Sequence, residues 1–263
     1  MIPVNDLIGT HDIVLITLDS LRYDVAQQAW AAGRTPQLSR ILPTTGWEER
    51  HSPASFTYPA HLAFLGGFLP APPGQDRPAR MFAGSFDHSI GARPGTLVFD
   101  EPDVPAALRA RGYHTICLGG VGFFSHRGAL GSVIPDLFDE SHWSPATGPK
   151  NRASAAVQAD VAVRVLAEQA ADRRLFLLLN IAATHTPTHY YLDNARRDSP
   201  ESQAAALAYA DEHLGRVIDA LRRPTVLIVC SDHGDCFGED GWWGHGIAHP
   251  LVWTVPYAET VLT

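Results

Sequence analysis

The stretch DIVLITLDS, residues 12–20, is a nearly unbroken apolar and β-branched run that stops abruptly at Asp19 and Ser20. Apolar residues that do not alternate with polar ones mark a strand buried on both faces, the environment of a parallel sheet covered by helices. Three more stretches share the pattern: YHTICLG (113–119), LFLLLNIA (175–182) and TVLIVCS (225–231). Helical periodicity fills the intervals. DVPAALRAR (103–111) stops at Gly112, a helix-ending signal. SAAVQADVAVRVLAEQAADRR (154–174) and SQAAALAYADEHLGRVIDALRR (202–223) are long, alanine-rich and repeat every three to four residues. Strands alternating with helices predict an α/β fold, a doubly wound, mostly parallel sheet with helices on both faces. PAPPGQDRPAR (70–80) and HWSPATGPKN (142–151) read as surface loops inside that alternation, so one domain over residues 1–263 is expected.

Composition narrows the function. A chain of 263 residues that is 45% hydrophobic and 18% charged can bury a sizeable core. Its net charge of -8 argues against nucleic acid as a partner, because such binders present a basic face. No apolar run approaches the ~20 residues that span a membrane. The opening MIPVNDLIGTHD lacks the basic-then-apolar pattern of a secretory leader. Cys117, Cys230 and Cys236 are odd in number and show no CxxC spacing, which fits a reducing compartment. A cytoplasmic protein with neither membrane nor nucleic-acid partners is the expectation.

In open parallel sheets, ligands bind outside the carboxyl ends of the strands. The first apolar run ends in Asp19–Ser20. The third leads into NIAATHTPTHYY (180–191), with His185 and His189, and the fourth into SDHGDCFGEDGWWGHG (231–246), with Asp232, His233 and His245. Carboxylates and imidazoles thus gather at three strand ends, in the residue types that bind divalent metals. Each has an ordinary reading when taken alone. Asp19 can cap a helix and Asp232 can serve the turn before Gly234. His11, His51, His88, His114, His126, His142, His213 and Asp211 form no convincing ligand pair and read as structural or solvated.

In FTYPAHLAFLGGFLP (56–70), Thr57 stands two residues before Pro59 at the start of an apolar helix, as a cap or as a nucleophile. At a strand end that turns through Gly234, Asp232 and His233 can converge on one ion. Asp19 then supplies a third ligand and Thr57 a fourth. Coordination acidifies a hydroxyl, and a helix N-terminus favours a bound anion.

IVLITLDSLRYD (13–24), SPASFTYPAHLAFLGGFLP (52–70), LRARGYHTICLGG (108–120), ATHTPTHYY (183–191), YADEHLGRVIDAL (209–221) and SDHGDCFGEDGWWGHG follow one another as in the alkaline phosphatase superfamily. From about residue 12 to about 250 the chain resembles the sulfatase-like branch of that superfamily. The resemblance implies that Asp19 is the first metal aspartate, Thr57 the covalent nucleophile, and Asp232 and His233 the closing ligands. His185 is similar to the family's His-x-Pro histidine. His245 is similar to the later histidine that contacts the substrate anion or a second ion, and His189 and His61 are weaker counterparts.

The departures from that pattern also inform. Thr57-Tyr58-Pro59-Ala60-His61 stands where sulfatases carry Cys/Ser-x-Pro-x-Arg, and a threonine cannot mature to formylglycine. A threonine nucleophile resembles the phosphoryl-transferring members, including phosphodiesterases and phosphoethanolamine or glycerophosphate transferases. Ser20 replaces a second aspartate, and three oxygens with one imidazole favour Mn²⁺ or Zn²⁺ over Ca²⁺. One ion is expected, with room for a second or for the substrate anion at His185, His245 and His189. The sequence after HGIAHPLVWTVP (245–256) leaves little room for the C-terminal subdomain of full-size sulfatases, so an open site, or one closed by an oligomer or another partner, is expected. The expected activity is metal-dependent hydrolysis of a small phosphate mono- or diester through a phosphothreonine. Its rivals are phosphoryl or sulfuryl transfer to an organic acceptor, and metal or ligand binding without catalysis. Specificity is expected in loops 70–95 and 122–150.

Overall fold

All four apolar runs become neighbouring strands of one seven-stranded sheet. The computed structural model describes residues 1–67, 103–222 and 224–263, so the loop expected at 70–95, with PAPPGQDRPAR, lies outside the described residues. The strands are β1 (Asp12–Leu18), β2 (Glu48–His51), β3 (His114–Leu118), β4 (Glu140–His142), β5 (Leu175–Ile181), β6 (Thr225–Cys230), β7 (Cys236–Phe237), β8 (Trp243–Gly244) and β9 (Thr254–Leu262). The helices are α1 (Val4–Leu7), α2 (Tyr23–Ala31), α3 (Thr57–Gly66), α4 (Val104–Arg109), α5 (Gly128–Val133), α6 (Ser154–Glu168), α7 (Pro200–Ala220) and α8 (Pro250–Trp253).

Strand order is β2-β9-β6-β1-β5-β3-β4, with β7 and β8 forming a separate hairpin. The run β6-β1-β5-β3-β4 is parallel. β9 runs antiparallel to both β6 and β2, so the sheet is mixed at one side. Side chains along each central strand alternate between two cores, which explains the continuous apolar runs. Ile16 and Leu18 of β1, with Leu177 and Leu179 of β5, join the core under α2, α6 and α7. Ile13, Phe176 and Leu178 join the opposite core under α3 and α4. Complete burial of one such aliphatic side chain contributes about 1.5–3 kcal/mol.

Local signals set the helix ends. Asp103 caps α4 by accepting from the Ala106 N–H at 2.7 Å, and Gly112, just beyond it, takes a left-handed conformation. α7 starts at Pro200, earlier than its periodicity suggests, because Ser199 and Ser202 form a reciprocal capping box. α6 ends at Glu168, short of the expected 174. HWSPATGPKN is more than a loop. Its first residue ends β4, and Pro145–Thr147 form a 3-10 turn capped by Ser144.

The register brings the strand ends level. Thr17 of β1 lies opposite Asn180 of β5 and Cys230 of β6, so the residues just past these positions share one edge of the sheet.

Candidate metal and nucleophile site

Asp19 leaves β1 at that edge with no surface exposed. Its N–H donates to the Ile181 carbonyl at 3.0 Å, and its carbonyl accepts from the Thr184 hydroxyl at 2.7 Å. It caps no helix, since α2 begins only at Tyr23. Ser20 follows in the left-handed region (φ 61°), which aims its N–H at Asp232 Oδ1 (3.1 Å) and lets its hydroxyl donate to Asp19 Oδ1 (3.0 Å). A left-handed non-glycine residue costs energy and persists where its surroundings hold it. Gln203 of α7 does this, donating to the carbonyls of Ser20 (2.8 Å) and Thr184 (3.2 Å).

Asp232 and His233 follow β6, and Gly234 turns the chain. A Cβ at Gly234 would lie 2.0 Å from the Leu251 carbonyl oxygen, so only glycine fits. His233 donates from Nδ1 to the Gly234 carbonyl at 2.9 Å, which leaves Nε2 as a lone-pair nitrogen. Thr57 is the first residue of α3. Phe56 precedes it without capping the helix, and the Thr57 hydroxyl turns toward Asp19 and His233.

Four donors meet here. Thr57 Oγ1 lies 3.5 Å from Asp19 Oδ2 and 3.3 Å from His233 Nε2. His233 Nε2 lies 3.8 Å from Asp19 Oδ1 and 3.7 Å from Asp232 Oδ2. These separations are long for hydrogen bonds between the donors. The edge of a ligand tetrahedron is about 3.3–3.5 Å when each ligand sits about 2.0–2.2 Å from a central ion. The two Thr57 separations fall there, and the two carboxylate–imidazole separations are a few tenths of an ångström longer. Asp232 Oδ2 is buried and has no hydrogen-bond partner among the described residues. Two buried carboxylates, one of them with an orphaned oxygen, a neutral imidazole and the Thr57 hydroxyl fit a divalent cation.

Electrostatics agree. Burial works against the Asp19 carboxylate, but His185, His233 and the Asn180 amide outweigh it and hold the group below its ordinary range. Burial and the adjacent Asp19 charge push Asp232 well above its own. Burial drives His233 down to about 3, so it is a neutral ligand at physiological pH. Without a cation one carboxylate must keep a proton. A dication balances both.

His185 and His245 border the four donors. Their ring centroids are 5.3 Å apart, and the His245 ring is 4.4 Å from that of His233. His185 donates from Nδ1 to the Thr186 carbonyl at 2.5 Å. His245 Nδ1 meets Asp235 Oδ1 at 2.8 Å; burial opposes its protonation, but Asp235 raises it above the ordinary imidazole range. In each ring Nε2 is the nitrogen left for another partner. His189 is placed differently. Its contacts among the described residues are to Asp198 (3.0 Å) and Tyr190, and none is to the four donors.

Several residues absent from the ligand reading support the site. Asp235 holds His245. Arg22 pairs with Asp24 and Glu239, pinning the β7–β8 hairpin that carries His245 beside the end of β1. Asn180, Thr17 and the wholly buried His61 bind one another directly behind Asp19 and Thr57. Asn180 carried one sequence signal, as a lone amide inside LFLLLNIA. The cysteines Cys117, Cys230 and Cys236 are buried free thiols.

The Sulfatase family model matches residues 11–257. A stretch of 56 residues is 43% identical to the choline-sulfatase of Rhizobium meliloti (strain 1021), covering 19% of this chain and 11% of that protein. The chain therefore spans about a tenth of that curated relative in the match. In three dimensions it is similar to the C-terminal periplasmic domain of EcEptC from Escherichia coli in complex with Zn (TM-score 0.65, 12% identity, 96% of this chain and 74% of that one). It is also similar to the soluble domain of lipooligosaccharide phosphoethanolamine transferase A from Neisseria meningitidis (TM-score 0.62, 16% identity, 96% and 77%). At such identities the two structures speak for the fold, while the family model covers most of the sequence. The chain belongs to the sulfatase family and is built on an alkaline phosphatase-like fold.

Proposed function

We propose that this chain is a metal-dependent hydrolase of a small phosphate ester, mono- or diester, with Thr57 as the nucleophile. The observation that carries the reading is the meeting of the Thr57 hydroxyl with Asp19, Asp232 and His233 at spacings that suit a shared ion. A threonine that only capped α3 would bond the helix N–H groups instead. Asp19, Asp232 and His233, with Thr57 Oγ1, would hold the cation, and the oxygen-rich set favours Mn²⁺ or Zn²⁺. When bound, the ion supplies Lewis acidity that favours the ionised hydroxyl and offsets charge on the phosphoryl oxygens.

The chain's own residues do the rest. Thr57 Oγ1, its proton released to water, attacks phosphorus. The ester oxygen departs and takes a proton from water, leaving a phosphothreonine that water then hydrolyses to phosphate and the free hydroxyl. The N-terminus of the ten-residue helix α3 lies under the phosphoryl group and favours its negative charge. His185 and His245 bind phosphoryl oxygens through Nε2. Asp235 holds the His245 ring at Nδ1, which leaves Nε2 as the nitrogen for those oxygens. The alternative is that the same two Nε2 atoms hold a second ion, without His189.

Turnover of p-nitrophenyl phosphate and of a bis-ester by metal-loaded Thr57→Ala and Thr57→Ser tests the assignment. Serine should keep part of the turnover, and alanine should lose nearly all of it with the fold intact. Near-wild-type turnover in Thr57→Ala would return Thr57 to a structural role. Product analysis with glycerol or ethanolamine as acceptor separates hydrolysis from transfer.

A further inference from the structure

Asn180 is the one amide side chain in the apolar strand β5 and is wholly buried. Its Oδ1 accepts from the N–H groups of Gly120 (3.2 Å) and Val121 (3.3 Å). Those backbone groups can only donate, so the orientation of the amide is fixed. Its NH₂ must then face the other way, where it donates to Asp19 Oδ2 and to Thr17 Oγ1, each at 3.1 Å. The Thr17 hydroxyl, having accepted, gives its own proton to His61 Nε2 at 3.0 Å. His61 in turn donates from Nδ1 to the Thr57 carbonyl at 2.9 Å. A carbonyl can only accept, so the relay has one polarity from end to end.

We propose that Asn180 is a positioning residue that holds two of the four donors at once, Asp19 directly and Thr57 through Thr17 and His61. This role rests on the metal-site reading above. The relay spans strands β5 and β1 and helix α3, so one amide ties together elements distant in sequence. Thr17, His61 and Asn180 are all fully buried, and water cannot replace a missing bond. The turn that fixes the amide is itself pressed against β5, since a Cβ at Gly120 would lie 2.7 Å from both the Ala182 Cβ and the Asn180 carbonyl oxygen. His61 stands where the family motif carries arginine, and here it grips the backbone of Thr57.

The test is calorimetric titration of the metal-free protein with Mn²⁺ and with Zn²⁺, in Asn180→Ala, Thr17→Val, the double variant and Asp232→Asn. Loss of partners behind a ligand typically weakens metal binding about 10–100-fold, the loss expected for Asn180→Ala. Thr17→Val keeps shape and the Asp19 bond, so about tenfold is expected. Because both lie on one path, the double variant should bind no more weakly than Asn180→Ala. Wild-type affinity in Asn180→Ala, or additive losses, would overturn the role. If Asn180→Ala does not fold, Thr17→Val decides, and wild-type affinity there overturns it. Unchanged binding by Asp232→Asn would overturn the metal site and this role with it. Weak binding by Asp232→Asn beside normal binding by Asn180→Ala would remove only the positioning role.

Discussion

Asp232→Asn should have opposite effects on the metal-free and metal-loaded proteins. In the metal-free protein Asp232 Oδ2 is buried, without a partner among the described residues, beside a charged Asp19. An unsatisfied buried polar atom costs about 1–3 kcal/mol. The introduced amide keeps an oxygen for the Ser20 and His233 N–H groups and places its NH₂ toward the His233 Nε2 lone pair. Recovering about 1 kcal/mol should raise the Tm of chelated protein by about 2–4 °C. In the loaded protein the same change leaves a buried dication facing one carboxylate. Removing one partner of a buried ion pair costs about 3–5 kcal/mol. Metal affinity should therefore fall about a hundred- to several-thousand-fold.

The pH dependence carries the same sign. A carboxyl whose folded pKa is raised contributes most below its unfolded value, near ~3.9, and that contribution is lost as pH rises through the folded value. Chelated wild type should lose Tm relative to chelated Asp232→Asn as pH climbs from about 4, and metal should abolish the difference in slope. Scanning calorimetry with chelator and with Mn²⁺, across that range, reads both effects. A chelated variant less stable than chelated wild type, or equal metal-induced shifts in the two proteins, would refute the buried carboxylate pair as a cation site.

Two further outcomes follow from packing. Gly234→Ala drives a Cβ to 2.0 Å from the Leu251 carbonyl and should cost about 3 kcal/mol, read as a lower urea midpoint; unchanged stability would contradict the turn geometry. Asp211→Ala in α7 removes the acceptor of the Gln37 (3.0 Å) and Leu38 (2.7 Å) N–H groups and should cost about 1–3 kcal/mol with turnover per folded molecule kept; lost turnover at wild-type stability would give Asp211 a catalytic role.

Burial explains which parts of the fold were legible in the sequence. β1, β3, β5 and β6 are covered on both faces, so their apolar runs announce them. β2 is Glu-Glu-Arg-His, a polar edge strand recognisable only through its partner β9. β9 contains Pro256, which ordinarily argues against a strand interior. It is tolerated because the β6 ladder reaches only Tyr257, one residue short of Pro256. The donors Asp19, Asp232 and His233 could be read from chemistry at strand ends, and Thr57 from its place before Pro59. The Asn180 relay could not, because bond polarity depends on which strands become neighbours. His189 shares its segment with His185, yet Asp198 engages it, and no sequence spacing shows that.

The place of β9 also orders events during synthesis. Ser52, which leads into the Thr57 helix, donates its N–H to the Trp253 carbonyl at 2.7 Å and its hydroxyl to the Asp232 carbonyl. Among the described residues, β2 meets the sheet only across β9. The approach to Thr57, made early on the ribosome, thus has no dock until residues some two hundred positions later have emerged. Closing so long a loop adds little free energy, since the cost grows only with the logarithm of length, but it places this contact among the slow steps of folding. A nascent chain that has already released Asp19, Thr57, Asp232 and His233 still lacks the strand that seats the second of them. Activity should switch on only once Thr254–Leu262 has emerged and slides between β6 and β2.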